Sequence, residues 1–247
     1  MLKALSARII QGYRTNKFPS AAPNLPARFR GRPLIPENAV LETECCPTGA
    51  LGKDSIDLGK CTFCGNCAKC GVIFTKEYRM GVFKREDLIV RRGEELPEVE
   101  ENKNTPAAKL CGKSLKIRQV SAGGCSACEL DFNVLGTLAW DMGRLGIQVV
   151  ASPRHADCLL VTGPVSKNML TALKKTYDAM SEPKFVIANG ACAISGGLFA
   201  GSSEVCAPLD EIMPVDFYVP GCPPHPATLL EALVRFKGGK KGAINED

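Results

Sequence analysis

Cysteine constrains this chain more than any other residue. There are 13 in 247 residues, an odd number, and most gather in C-x-x-C pairs rather than at the spread spacings of a secreted disulfide framework. No signal-peptide pattern opens the sequence, so a reducing cytosol with thiolates holding metal is the expectation. No apolar stretch approaches the roughly 20 residues of a membrane helix. The chain is expected to be soluble, or peripheral to something that is not. The formal net charge of +5 is dispersed and no aromatic-rich basic stripe accompanies it, which argues against nucleic acid.

The first cysteine group lies between residues 40 and 90. Cys61, Cys64 and Cys67 follow one another at two-residue gaps, which lets three thiolates converge on one small group while the backbone curls around it. A fourth thiolate is needed, and Cys46-Pro47 lies 15 residues upstream of Cys61. This stretch of about thirty residues resembles half of a bacterial-type ferredoxin, and the resemblance implies a 4Fe–4S cluster on Cys46, Cys61, Cys64 and Cys67. It departs from that pattern in having no second C-x-x-C-x-x-C before Cys46. Cys70 follows Cys67 at a gap of two and lacks a following proline, so it is read as spare, and Cys45 is a competing ligand. Tetrahedral zinc on the same thiols is the other reading.

From residue 113 short apolar runs alternate with helical patterns. The expected strands are Leu115–Val120, Ile147–Ala151, Cys158–Thr162, Lys184–Ala188 and Asp216–Val219, and the expected helices Glu129–Gly143, Lys167–Met180 and Pro226–Lys237. This alternation predicts an α/β, doubly wound parallel sheet. Cys125 and Cys128 follow the first of these strands, Cys192 the fourth and Cys222 the fifth. Loops at the carboxyl ends of parallel strands share one edge of the sheet, where such folds bind ligands. Three loops remote in sequence are therefore expected to bring four thiols together. Cys158 sits inside an apolar strand and is read as core, while Cys111 and Cys206 are read as free thiols.

Four ordered segments carry a closer resemblance: Gly124-Cys125-x-x-Cys128-Glu129, Ser152-Pro153-Arg154-His155-Ala156-Asp157, Gly190-Ala191-Cys192-x-x-Ser195-Gly196-Gly197 and Pro220-Gly221-Cys222-Pro223-Pro224. Together they resemble the small subunit of nickel–iron hydrogenases, of the type found in formate hydrogenlyase and energy-converting hydrogenases, from about Leu115 to Phe236. The terminal-cluster subunit of respiratory complex I is related. It is similar except that it looks to use adjacent cysteines where this chain has Cys125 and Cys128. The resemblance implies a flavodoxin-like domain with a second 4Fe–4S cluster on Cys125, Cys128, Cys192 and Cys222. It also implies a hydrogenase-like large subunit holding the catalytic metal, other iron–sulfur subunits, and a membrane arm that keeps the chain at the cytoplasmic membrane from the cytoplasmic side.

The expected organisation is a basic docking arm over 1–39, a ferredoxin-like unit over 40–90, an acidic linker over 91–112 and the flavodoxin-like domain over 113–240. Glu129 is read either as a proton relay or as a helix-start carboxylate favoured by the dipole. Arg154 and His155 are read as contacts to a cluster or partner, or as packing at a strand start. Trp140 is read as helix core, and His225 is given no role. Three functions follow from these residues: an electron-transfer subunit of a hydrogenase, a subunit of a complex I-like quinone or carrier reductase, or a zinc-bound structural adaptor.

Overall fold

The computed structural model describes residues 2–97, 104–239 and 242. Glu98, Glu100 and Glu101 of the expected linker, and Lys240 at the expected end of the α/β domain, lie outside the described residues. In chain order the elements are α1 (Leu2–Gln11), β1 (Pro33–Leu34), β2 (Ser55–Asp57), β3 (Ile73–Phe74), β4 (Ile89–Arg91), α2 (Pro106–Cys111) and β5 (Leu115–Ser121). They continue with α3 (Ala127–Val134), β6 (Ile147–Val149), β7 (Cys158–Thr162), α4 (Lys167–Asp178), β8 (Phe185–Asn189), α5 (Ala191–Ser195), α6 (Leu209–Ile212), β9 (Phe217–Val219) and α7 (Pro226–Phe236).

β5 to β9 form one parallel sheet in the order β6-β5-β7-β8-β9. Counted from its first strand this is 2-1-3-4-5, the flavodoxin-like order, whose direction reverses between β5 and β7. The central strands are covered on both faces: β7, β8 and β9 are buried at every position, while β5 and the edge strand β6 keep exposed residues. Their side chains still divide with a period of two. Leu159, Val161, Val186, Ala188 and Tyr218 enter one core, while Cys158, Leu160, Phe185, Ile187, Phe217 and Val219 enter the other.

The second core is closed by α7, whose Leu229, Leu230, Leu233 and Phe236 are fully buried, together with Phe132 and Leu135. The first core is closed partly by α4 through Leu173, and partly by the cysteine-dense segment through Leu51, Ile56, Leu58, Leu88 and Val90, with Ile35 from the arm before it. The ferredoxin-like segment therefore shares its hydrophobic core with the sheet. Val82 also pairs antiparallel with Tyr218, exchanging hydrogen bonds of 2.9 and 2.8 Å.

The flanking segments are more engaged than their composition suggests. In the basic arm, the Asn16 amide donates to Ala139 O at 2.8 Å, and Arg144 donates to the carbonyls of Asn16 and Phe18 at 2.7 and 2.8 Å. Phe18 is buried. From Thr15 onward the expected docking arm thus lies against its own chain, leaving α1 with Leu5, Ile9 and Ile10 exposed. The expected linker contains α2, capped by the Thr105 hydroxyl on the Ala108 amide and burying Ala107 and Cys111. The expected helix from Glu129 stops at Val134, and Trp140 lies in a turn, half-buried beside the His225 ring. Asp141 at φ 44 and a 3-10 turn over Met142–Leu145 end helical geometry there.

Candidate metal centres

The sheet dictates one cysteine cup. Cys125 and Cys128 follow β5, Cys192 lies in α5 directly after β8, and Cys222 follows β9. All four line one pocket with Gly124, Glu129, Gly163, Ala191, Gly221 and Pro223, enclosing about 300 Å³ of space open to solvent. It lies at the carboxyl ends of the strands, on the side of the switch between β5 and β7. Close approach of backbones makes it possible. A Cβ at Gly190, whose φ is +93, would stand 2.8 Å from Cys128 Sγ, and one at Gly197, whose φ is +54, 2.9 Å from Cys192 Sγ.

Loops make the other cup. Cys46, Cys61, Cys64 and Cys67 line a pocket with Ala50, Leu51, Ile56, Thr62 and Phe74, enclosing about 310 Å³. Asp57 anchors its first thiol loop: its carboxylate accepts from the Gly59 amide at 2.8 Å and takes Arg85 in a two-pronged ion pair at 2.8 and 2.7 Å. The amide of Phe63 donates to Cys61 Sγ at 3.3 Å.

The two cups share a backbone device. Phe63 (φ 52) and Ser126 (φ 69) are non-glycine residues in the left-handed region, and each sits inside the first C-x-x-C of its cup. Such residues are costly and cluster at functional sites. The electrostatics also match. Burial and the neighbouring sulfurs push Cys61 up to about 12, Cys67 and Cys192 up to about 11, and Cys128 and Cys222 upward as well. For Cys46 burial raises the thiol, but the amides of Thr48, Leu51 and Ala50 and the Thr48 hydroxyl outweigh it and hold it below its ordinary value.

Thiols gathered in one pocket need a cationic group between them to bind as thiolates, and among the described residues no Lys or Arg lines either cup. The donor set fits a sulfur-rich iron group. Among the described residues no three Cys, His, Asp or Glu side chains are already set at the spacing of a single bound metal ion.

The remaining sequence candidates divide cleanly. Glu129 lines the second cup and accepts from the Thr162 hydroxyl at 2.7 Å, while Gln119 Nε2 donates to Thr162 Oγ1 at 2.9 Å. Arg154 and His155 line neither cup; they are exposed ahead of β7, at the opposite edge of the sheet from the thiols. Cys158 and Cys111 are buried, and Cys206 packs on the first core. The sequence reading missed Ser195, whose hydroxyl lies 2.9 Å from Gly59 O and 3.0 Å from Ala191 O. It thereby ties the Cys61 loop to the helix of Cys192. A serine in a Gly-rich cysteine motif gave no sign of this. His225 likewise has a role: its Nδ1 accepts from the Ala227 amide at 3.2 Å and caps α7.

With this geometry in view, comparison with known proteins is decisive. The family model for the NADH ubiquinone oxidoreductase 20 Kd subunit matches residues 125–236, a span that starts at the first thiol of the second cup. A probable membrane-bound hydrogenase subunit, mbhJ of Pyrococcus furiosus, is 45% identical over 130 residues, covering 51% of this chain and 78% of that protein. The chain belongs to this family. Another relative, an NADH-quinone oxidoreductase subunit of Desulfovibrio desulfuricans, is 45% identical over 114 residues, 46% of this chain and 62% of that protein. The chain spans 57 to 66% of the length of several such subunits. A chain of the membrane-bound sulfane sulfur reductase, an archaeal respiratory membrane complex, superposes at TM-score 0.43 and 32% identity, over 53% of this chain and 75% of that one. The first cup lies outside the residues matched by the family model. Among the described residues no helix is long and apolar enough to cross a membrane.

Proposed function

We propose that this chain is the electron-transfer small subunit of a multisubunit hydrogenase of the formate hydrogenlyase or energy-converting type. The observation that carries the reading is the cup of Cys125, Cys128, Cys192 and Cys222 at the switch-point edge, in a chain 45% identical to a membrane-bound hydrogenase subunit. Those four thiols hold one 4Fe–4S cluster; Cys46, Cys61, Cys64 and Cys67 hold another. Bound clusters supply one-electron redox chemistry at potentials set by burial and by hydrogen bonds to sulfur. This chain's residues do the rest. The Phe63 amide steadies Cys61, the Thr48 group steadies Cys46, and Ser195 keeps the two thiol loops in fixed register. Glu129, with its carboxylate on the Thr162 hydroxyl, is placed to hold a proton at the rim of the second cup. Exposed Leu130, Leu198 and Phe199, next in sequence to residues of that cup or its Gly-rich turn, form the seat for a large subunit bearing the catalytic metal. Further iron–sulfur subunits and a membrane arm complete the complex and hold the chain at the cytoplasmic face of the membrane.

Anaerobic purification tests this: about eight irons and eight sulfides per chain are expected, four of each per cluster. Zinc without sulfide would establish the structural adaptor instead. A second reading, a complex I-like quinone or carrier reductase, is favoured by the NADH-quinone oxidoreductase relatives. Copurified large subunit decides between the two: bound nickel supports the hydrogenase, and its absence with quinone reduction supports the reductase.

A further inference from the structure

Two thiols of the cysteine-dense segment belong to neither cup. Cys45 and Cys70 line neither pocket, both are half-buried, and the Cys70 thiol donates to Cys45 Sγ across 3.8 Å. Each is held by a short turn. Cys45 ends the 3-10 turn Thr43–Cys45, where its amide donates to Glu42 O at 3.2 Å. Cys70 ends the turn Asn66–Cys70, and the following Gly71, at φ +86, approaches Ala39 so closely that an added Cβ would stand 3.3 Å from Ala39 Cβ. The contact thus joins two turns whose backbones are fixed. Every thiol assigned to the first cup, Cys46, Cys61, Cys64 and Cys67, lies in the chain between this pair.

We propose that Cys45 and Cys70 are an oxidisable clasp, a pair that closes as a disulfide around the segment carrying the first cup. The inference rests on the ligand set given under Proposed function, since a clasp must leave four other thiols for the cluster. The oxidant is a low-molecular-weight disulfide. One thiol of the pair, as its thiolate, attacks a sulfur of that disulfide; the S–S bond breaks, one small thiol leaves, and a mixed disulfide forms. The neighbouring thiol then attacks the protein sulfur of that mixed disulfide and releases the second small thiol. The protein pair loses two electrons and two protons, and the small disulfide is reduced to two thiols. A closed loop restricts the chain once the cluster is lost, so the cradle keeps its shape for reloading. Closure brings the two sulfurs from 3.8 Å to about 2.05 Å.

The test uses the full chain purified anaerobically with its clusters bound. It is treated with oxidised glutathione, alkylated, digested, and read by mass spectrometry with fragmentation to place each sulfur. The expected result is a peptide pair joined through Cys45 and Cys70, short of two hydrogens, with iron, sulfide and visible absorption unchanged. Cys45→Ser and Cys70→Ser should each abolish the joined pair, leave a glutathione adduct on the remaining thiol and retain all the iron. No joined pair in the unaltered protein, or one through Cys46, Cys61, Cys64 or Cys67, overturns the clasp. Loss of about half the iron in either serine variant overturns the clasp and the ligand set together, because the replaced thiol is then a ligand. Iron content therefore separates the two failures.

Discussion

The two cysteine cups open on almost the same volume, about 310 and 300 Å³ with adjoining solvent included, and are built in opposite ways. In the second, three thiol loops spring from the ends of β5, β8 and β9, so their spacing is set by hydrogen-bonded parallel strands of one sheet. Glycine backbones form its walls. In the first, loops and a 3-10 turn carry the thiols, and side chains steady them: Asp57 with Arg85, and Arg30, whose guanidinium donates to Phe63 O at 3.2 Å. A site positioned by a sheet tolerates little backbone change, whereas a site positioned by long side chains has somewhere to yield. The cups are nevertheless not independent, because one core and one serine run between them.

Removing a ligand from each cup is the largest way to break this comparison. Cys222→Ser should cut iron from about eight to about four per chain and leave the first cup's spectrum; Cys64→Ala should do the converse. Disappearance of both spectra in each variant would show that the two cups assemble as one. The next largest effect comes from glycine. Gly190→Ala sets a methyl 2.8 Å from Cys128 Sγ at a φ of +93, and should abolish the second cluster. Gly65→Ala, at φ +84, meets only the end of Arg30 at 2.6 Å, which can swing aside. The cost there should be about 1–2 kcal/mol of left-handed strain, with iron near that of the unaltered chain. Equal iron loss in both alanine variants would remove the distinction between a sheet-built and a side-chain-built cup.

That distinction also explains what was legible in the sequence. The five strands of the sheet were readable to within one or two residues: β7, β8 and β9 are short apolar runs buried at every position, while β5 and β6 start on buried apolar residues and keep exposed positions. A parallel sheet follows from the alternation and four thiols at its strand ends follow from that, whereas the flavodoxin-like order came from the family resemblance. The first cup's thiols were visible in their spacing, but its seat was not. β1 pairs with β3 across two residues some 40 positions apart, and β2 with β4 across three, too short to leave a period in the sequence. A linker was expected after residue 90 because acids and prolines cluster there. Leu58, Leu88 and Val90 give no hint that they share a core with Leu159 and Val161 of the sheet. The over-long helix from Glu129 came from apolar spacing that continues through Leu138 and Trp140, although Gly136 and the left-handed Asp141 turn the chain away.

Ser195→Ala sharpens the comparison where the cups meet. The hydroxyl is half-buried and lies between Gly59 O and Ala191 O, so its loss should cost about 1 kcal/mol. For a chain of this size that lowers Tm by about 2–4 °C. Iron content should be unchanged, while the magnetic interaction between the two reduced clusters, read by electron paramagnetic resonance, should weaken. An unchanged interaction alongside lowered Tm would make the serine a packing residue alone.

The smallest effect is a pH dependence located on one side of the groove that joins the cups. His225 lies there with Arg28, Arg30, Thr62, Phe63 and Cys222, and Phe29 and Trp140 set their rings edge-on to it at 5.1 and 6.2 Å. Burial lowers its pKa below the ordinary value of 6.5, and its Nδ1 can cap α7 only while unprotonated. Because the folded value is depressed, the unfolded chain binds the proton first. The histidine's contribution is complete above about pH 6.5 and is lost as pH falls through the folded value. His225→Asn keeps a capping oxygen without a titrating group, so its stability should match the unaltered chain near pH 7.5 and exceed it slightly near pH 5.5. The difference, read from urea midpoints, should stay below about 1.4 kcal/mol for each unit of depression. Parallel pH profiles for the two proteins would show that the imidazole is not the group that titrates, and would leave the cap as a packing contact held by Phe29 and Trp140.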